Sequence, residues 1–282
     1  MWQNYKVNQG QIVEVLISLY RYFLRLTRRH GLFTLAKINS RMFPRGQYVK
    51  LPAGARLFVP ADPHLFGFVL GTHEQHITEI LIPSVKHGDV CIDVGANIGY
   101  FTAIMAQLAG TSGKIFSFEP VPENFSVLKL NAELASARGA QVTPIHAAVS
   151  ERHGTLRIVR REYSTYHQVG PNLNAVSNDS VPCLCLDEDL PGLAAGRHIS
   201  FLKIDVEGHE LSVLRGLRQS LETGRVRRLI VEVTPGADAA EISEILSNCA
   251  RRVECWVDGA WRDQSIMSLT ERTDVFVDCT TR

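Results

Sequence analysis

Residues 90–104 read VCIDVGANIGYFTAI. The first five are apolar or β-branched around one acid, Asp93, which suits a buried strand. Gly95 and Gly99 then bracket Asn97, and an apolar helical pattern follows. A strand, a glycine turn and a helix in that order form the first unit of a ligand-binding α/β sheet. Gly95 would let the chain turn tightly, and Gly99 would let the helix approach the sheet or a ligand. Backbone N–H groups at such a helix start suit an anionic or polar ligand group.

The spacing separates two nucleotide folds. The dinucleotide fingerprint is Gly-x-Gly-x-x-Gly, whereas this turn is Gly95-x-Asn97-x-Gly99 behind Asp93. A carboxylate at that mouth repels a pyrophosphate and attracts an ammonium group. The turn therefore argues against NAD and for S-adenosylmethionine. The next strand ends at Phe118-Glu119-Pro120, and an acid there can accept hydrogen bonds from ribose hydroxyls. Further on, Phe201-Leu-Lys203-Ile-Asp205 delivers an acid at a strand end, directly before Glu207 and Glu210. Lys203 and Asp205 alternate, so both lie on one face of that strand, either as a structural ion pair or placed for chemistry.

Outward from these motifs the chain keeps a regular rhythm. β-rich runs at 90–94, 114–118, 141–145, 199–204 and 228–233 alternate with helical patterns at 98–109, 122–137, 207–221 and 237–249. This predicts a mostly parallel sheet with helices on both faces. Runs 252–257 and 274–278 suit a terminal hairpin. The stretch 146–198 breaks the rhythm, with strands expected at 155–159 and 181–186 and a polar loop at 162–180; it is expected to be a substrate lid. Upstream, 47–60 predicts one or two short strands around a Pro52–Gly54 turn, and 72–82 a short helix. The expected division is an N-terminal helical and mixed extension, 1–73, and a catalytic domain, 74–282.

Three segments carry a family resemblance: DVGANIGYFT (93–102), SFEP (117–120) and FLKIDVEGHELSVLRGL (201–217). They resemble the FkbM family of S-adenosylmethionine-dependent methyltransferases over about residues 74–235. The resemblance implies the class I methyltransferase fold, a seven-stranded, mostly parallel Rossmann-like sheet with a reversed last hairpin. It implies transfer of a methyl group to hydroxyls of sugars in glycans and glycolipids, or of polyketides. It places the methionine part of the cofactor near Asp93, Gly95, Asn97 and Gly99, the ribose on Glu119, and the adenine beside His146 and Ala147. Asp205 matches the position where many enzymes of this fold put an acid near the transferred methyl. His209 stands where family members more often carry a small residue, so the resemblance gives it no role.

A sugar hydroxyl is a poor nucleophile and benefits from a general base. The candidates are Asp205, Lys203 if neutral, His209, and the loop residues His153, Tyr163, Tyr166 and His167. Asp205 is the expected one, orienting or deprotonating the acceptor. No metal is assigned, because Asp205 and Glu207 before a helix also read as complements to its dipole. Two other classes remain open: an N- or protein methyltransferase of the same fold, and a non-catalytic interaction protein on a methyltransferase scaffold. The first often carries an Asn/Asp-Pro-Pro-aromatic motif where this chain has Asp205-Val-Glu-Gly.

The 282 residues, 45% hydrophobic and 21% charged, can bury a sizeable core, which excludes a disordered or collagen-like chain. The net charge of +1 hides an asymmetry. Residues 1–50 hold nine Lys or Arg and one acid, about +8, which leaves about −7 elsewhere. With the net positive charge clustered in one short segment and the rest of the chain acidic, nucleic acid is not an expected partner. Positions 11–28 form a helical pattern with a broad apolar face and a basic end. That pattern predicts packing on the main domain or a partner subunit, or, as the sharper alternative, peripheral contact of residues 11–50 with the inner membrane face. The run from Ile12 to Leu26 is interrupted by Glu14, Arg21 and Arg25 and is too short and charged to span a bilayer. Six cysteines lack Cys-x-x-Cys or zinc-like spacing, so reduced thiols and a cytoplasmic home are expected.

Overall fold

A computed structural model describes residues 32–159, 168–170 and 179–280. The helical pattern at 11–28, together with Tyr163, Tyr166 and His167, lies outside the described residues. The described residues form two compact units, one within 1–47 and 59–73, the other within 48–58 and 74–282. Residues 48–58 thus group with the catalytic unit rather than with the extension.

In the smaller unit, helix α1 (Leu32–Met42) buries Ala36 and leaves Phe33, Ile38 and Met42 exposed. Asp62 caps a single 3-10 turn at Pro63–Leu65, accepting the His64 N–H. Helix α2 (Phe66–Leu70) follows and ends on left-handed Gly71.

In the larger unit, β1 (Gln47–Lys50) and β2 (Arg56–Val59) form a two-stranded sheet, and α3 (Gln75–Ser84) leads into the main sheet. Strand β3 (Val90–Val94) is buried at every position, as a central parallel strand must be. Helix α4 (Tyr100–Ala109), β4 (Lys114–Phe118), α5 (Pro122–Ser136) and β5 (Gln141–Ile145) follow. The 146–198 segment supplies β6 (Ala148–Val149), β7 (Gly154–Val159), β8 (Gln168–Gly170) and β9 (Ser180–Leu184), a separate four-stranded sheet ordered β6-β9-β7-β8, and then helix α6 (Leu186–Leu193). The chain returns through β10 (Phe201–Ile204), α7 (Glu210–Arg215), α8 (Arg218–Glu222), β11 (Arg228–Val233) and α9 (Ala239–Cys249). It ends with β12 (Arg252–Val257), β13 (Ala260–Arg262) and β14 (Thr273–Asp278).

The main sheet is ordered β13-β12-β14-β11-β10-β3-β4-β5. Strands β5, β4, β3, β10 and β11 are parallel, and β14 enters antiparallel between β11 and β12. That is the class I methyltransferase topology. The sheet has eight strands rather than seven, because three residues of the last loop, β13, pair with the edge of β12. Strand order reverses between β3 and β10, and the crevice beyond their carboxyl ends is where such sheets bind ligands.

The helix expected over 207–221 is broken in two. Glu207 (φ 58°) and Gly208 (φ 100°) hold the chain in left-handed turns, so α7 starts only at Glu210. Gly216 then abuts the Ser150 carbonyl, which a Cβ would approach to 2.2 Å. The Asp187 carboxylate accepts the N–H groups of Gln219 and Ser220, giving α8 a new N-terminus.

Candidate active site

The turn after β3 is held by hydrogen bonds within itself and to its neighbours. The Gly95 and Ala96 N–H groups donate to the Phe118 carbonyl, and Gly99 N–H to the Ala96 carbonyl. Asn97, at φ 52°, donates its N–H to Glu119 Oε2 at 2.8 Å and accepts the Ile98 N–H on its own Oδ1. The N–H groups from Gly95 to Gly99 thus each already have a protein acceptor. Gly95 is required by contact and by conformation. A Cβ there would lie 1.8 Å from the Asp205 carbonyl oxygen, and φ is +80°. Gly99 (φ +93°) packs against Leu128 on α5.

Glu119 sits at the end of β4, 4% exposed. Its second oxygen accepts the Val121 N–H at 2.8 Å. Burial pushes the carboxyl up to about 7, against the pull of the two backbone N–H groups and Asn124. With three donors on it, the carboxylate keeps one of its roughly four acceptor sites for another donor. Beside it, His146 stacks on Phe125 at 4.7 Å and 17°, with Nε2 3.0 Å from the Pro120 carbonyl. Ala147 is buried.

On the other side of β3 lies a second cluster. Lys203 pairs in register with Asp93 across the two strands, and its Nζ lies 2.8 Å from Asp205 Oδ2 and 4.9 Å from the centre of the Phe101 ring. Burial alone would depress Lys203, but the carboxylates of Asp205, Glu74 and Asp93 outweigh it and hold the ammonium above the ordinary lysine range. A neutral Lys203 acting as base does not fit that surrounding. Asp93 is 1% exposed and accepts from Thr102 Oγ1 at 2.6 Å; burial raises its carboxyl, opposed by Lys203 and Thr102.

Glu74 was not singled out by the sequence. It precedes α3 at φ 39°, an uncommon conformation for a side-chain-bearing residue. Burial brings its carboxyl to about 7, with Lys203 lowering it and Asp205, Asp274 and His76 also acting on it. No spacing in the sequence ties it to Lys203.

The remaining candidates stand apart from these two clusters. His209 points its Nε2 at Ser150 Oγ, 3.0 Å away, and burial lowers its basicity. His153 lies 3.0 Å from Asp189. Glu210, two residues past the glycine, accepts the Val206 and Gly208 N–H groups and so fixes the turn after Asp205. Arg272 joins Glu207 at 2.8 Å and also contacts Glu232.

The donor set fits the expected cofactor, which carries a sulfonium and an ammonium against one carboxylate. Three buried or half-buried carboxylates surround the Lys203 ammonium, an excess that a net positive ligand offsets. The glycine turn has the N–H groups from Gly95 to Gly99 engaged, which leaves none of them for a phosphate.

Comparison with known proteins agrees with this chemistry. The methyltransferase FkbM domain matches residues 93–253, more than half of the chain. Hexuronic acid methyltransferase AglP of Haloferax volcanii is 28% identical over 64% of this chain and 71% of its own length. Protein-L-isoaspartate O-methyltransferase of Methanococcoides burtonii is 30% identical over 36% of this chain and 50% of its own. The 31-O-demethyl-FK506 methyltransferase FkbM of Streptomyces tacrolimicus is 29% identical over 53% of this chain and 66% of its own. With that domain spanning Asp93, Glu119, Lys203 and Asp205, the chain belongs to the FkbM methyltransferase family and is an S-adenosylmethionine-dependent methyltransferase.

Proposed function

We propose that this enzyme methylates a hydroxyl of a sugar, in a glycan or glycolipid, or of a polyketide-type acceptor. The observation that carries the reading is Asp205, a half-buried carboxylate held at the sheet's carboxyl edge by Lys203. A carboxylate fixed there can accept a hydroxyl proton's hydrogen bond and aim the oxygen. The bound cofactor supplies an electrophilic methyl carbon. The chain's work is alignment, which can supply much of the acceleration. Asp93, Gly95, Asn97 and Gly99 hold the methionine part, Glu119 the ribose, and His146 and Ala147 flank the adenine. Lys203 stays charged and positions Asp205.

The name of one relative, a 31-O-demethyl-FK506 methyltransferase, supports a hydroxyl acceptor, and that of another, a hexuronic acid methyltransferase, supports a sugar. Arg272 is already shared by Glu207 and Glu232, so a uronate carboxylate would have to compete for it. The reading is accordingly kept to the hydroxyl. The second reading, a protein methyltransferase, draws on a relative matched over 36% of this chain.

Titration calorimetry with S-adenosylhomocysteine comes first. Micromolar binding that weakens at least about tenfold, 1.4 kcal/mol, in Glu119→Ala supports the cofactor orientation. No binding to the folded wild type would move the non-catalytic reading to the front. Tritium transfer from the cofactor to methyl β-D-glucuronide, against an isoaspartyl peptide, then separates the two acceptor classes.

We also propose that the basic front, residues 11–50, holds the enzyme against an anionic membrane face. Among the described residues no helix is long and apolar enough to cross a membrane. Helix α1 instead exposes Phe33, Ile38 and Met42 among Lys37 and Arg41, the composition of an interfacial helix.

A further inference from the structure

Methylating a hydroxyl releases a proton, and none of the groups assigned so far is well placed to take it. Lys203 is already charged. A proton on Asp205 would remove the carboxylate that Lys203 contacts at 2.8 Å. His209 is engaged with Ser150, and His153 with Asp189.

Another histidine lies at the carboxyl edge of the sheet. His76 is the second residue of α3, and its Nε2 lies 2.6 Å from Asp274 Oδ2. Its ring stacks on Trp256 at 4.6 Å and 16°, and the Trp261 ring lies 5.8 Å away. Both indoles are half-buried and meet edge to face at 5.5 Å. Strand β14 runs antiparallel, so Asp274, opposite Glu232, falls at the carboxyl end of β11. The pair is therefore on the ligand-binding edge, on the second strand from the one that delivers Asp205. Glu74 links the two places, since its carboxyl responds to Lys203 and Asp205 and also to Asp274 and His76. Among the described residues the other ring nitrogen, Nδ1, has no hydrogen-bond partner. An imidazole with one nitrogen on a carboxylate, its plane fixed by an indole and its second nitrogen open, is the arrangement of an oriented general base.

We propose that His76 is the general base of the methyl transfer and Asp274 the residue that positions it. This rests on the hydroxyl-acceptor reading above. As the acceptor oxygen bonds to the methyl carbon, the carbon–sulfur bond breaks and its electron pair stays on sulfur. The hydroxyl proton passes to His76 Nδ1. Asp274 accepts the Nε2–H bond, which fixes the tautomer and offsets the imidazolium charge. Trp256 fixes the plane of the His76 ring by stacking on it, and Trp261 packs edge to face on Trp256.

The test uses the full chain in two arms. In the first, His76→Gln and Asp274→Asn are compared with wild type for tritium transfer to methyl β-D-glucuronide. Expected is a kcat about a hundredfold or more lower in His76→Gln, with KM, S-adenosylhomocysteine affinity and Tm held. A His76→Gln enzyme within threefold of wild-type kcat overturns the base assignment and leaves the function intact. In the second arm, nitrogen-15 NMR of the S-adenosylhomocysteine complex reads the His76 ring, assigned by difference with His76→Gln. Expected is a neutral ring protonated on Nε2, switching tautomer in Asp274→Asn. A ring protonated on Nδ1, or one indifferent to Asp274→Asn, overturns the proposal whatever the acceptor. Should the wild type bind the cofactor product yet methylate no hydroxyl of the probe, the sugar reading fails at that point, and the NMR arm decides the dyad separately.

Discussion

The two halves of the sheet's carboxyl edge are built in different ways. Over β3 and β4 the site is mostly backbone. Two glycines and Asn97 take left-handed turns, the turn's N–H groups close on Phe118 and Glu119, and the backbone groups in these bonds lie between residues 95 and 121. Over β11, β14 and β12 the site is side chains gathered from distant segments: His76, Glu232, Trp256, Trp261, Arg272 and Asp274. A backbone cradle leaves little room for substitution, because a single Cβ meets a carbonyl. A cluster of side chains on α3, in the last loop and on strand ends can be exchanged residue by residue without moving the sheet. The difference separates the constant part of the reaction, the cofactor, from the variable part, the acceptor.

The sharpest way to break this contrast is to add one methyl group to the cradle. Gly95→Ala combines a positive φ with a Cβ 1.8 Å from the Asp205 carbonyl. The expected loss is about 4 kcal/mol or more, or no folded protein. Gly139→Ala is the control. Its Cβ would meet the Ala106 carbonyl at 2.3 Å, away from the edge. Thermal unfolding should show both destabilised, and calorimetry should show S-adenosylhomocysteine affinity lost only for Gly95→Ala among molecules that remain folded. Equal affinity in the two variants would mean that the turn merely packs.

Lys203→Met comes next, since Lys203 joins the two halves. It leaves Asp93, Asp205 and Glu74 without their shared cation. Breaking a buried ion pair from one side costs about 3–5 kcal/mol, read as a fall in Tm. The carboxyls should then hold protons to higher pH. Lowering the pH should therefore recover part of the lost Tm in Lys203→Met and do so less in wild type.

Glu119→Gln tests the cofactor half alone. The Glu119 carboxyl is raised to about 7 from 4.5. A raised acid contributes stability fully present below about 4.5 and lost as pH rises through about 7. Ribose hydroxyls donate best to the ionised form, so binding should release a proton. S-adenosylhomocysteine affinity in wild type should increase between pH 6 and 8, an interval of about one unit either side of that value. In Glu119→Gln the affinity should be about tenfold weaker and flat across it. A flat wild-type profile would place the ribose elsewhere.

How far the sequence could be read follows the same division. The parallel strands and the position of Glu119, Lys203 and Asp205 at strand ends were readable because period and motif spacing are local properties. The Lys203–Asp205 pair follows from alternation alone and is found at 2.8 Å. The three-residue β13 was not read from the sequence, since a strand this short, paired with β12 across the two-residue Asp258–Gly259 turn, leaves no periodic signal. The break between α7 and α8 depends on Asp187, which caps the second helix from another element. Glu74, His76 and Asp274 were missed for the same reason. Each is an ordinary polar residue until the fold brings α3 against the start of β14. The use of the turn's N–H groups by Phe118 and Glu119 was likewise invisible, because a glycine motif shows where a chain turns and not which acceptor its amides meet.

The smallest effect on the enzyme itself is expected from a region that belongs to neither half. Ile38 and Met42, 45% and 57% exposed, lie one turn apart on α1, near Lys37 and Arg41. Changing both to Asp removes apolar surface already in water and adds charge at its edge. Tm and S-adenosylhomocysteine affinity should stay at wild-type values, because neither side chain is buried. Flotation of the full chain with phosphatidylglycerol vesicles should fall at least tenfold, since each side chain inserted into the interface is worth about 1.5–3 kcal/mol. Phosphatidylcholine vesicles should bind both proteins weakly, because the basic residues then lose their anionic partner. Equal flotation of the two proteins with anionic lipid would assign the exposed face of α1 to something other than a membrane, and the basic front would have to act without it.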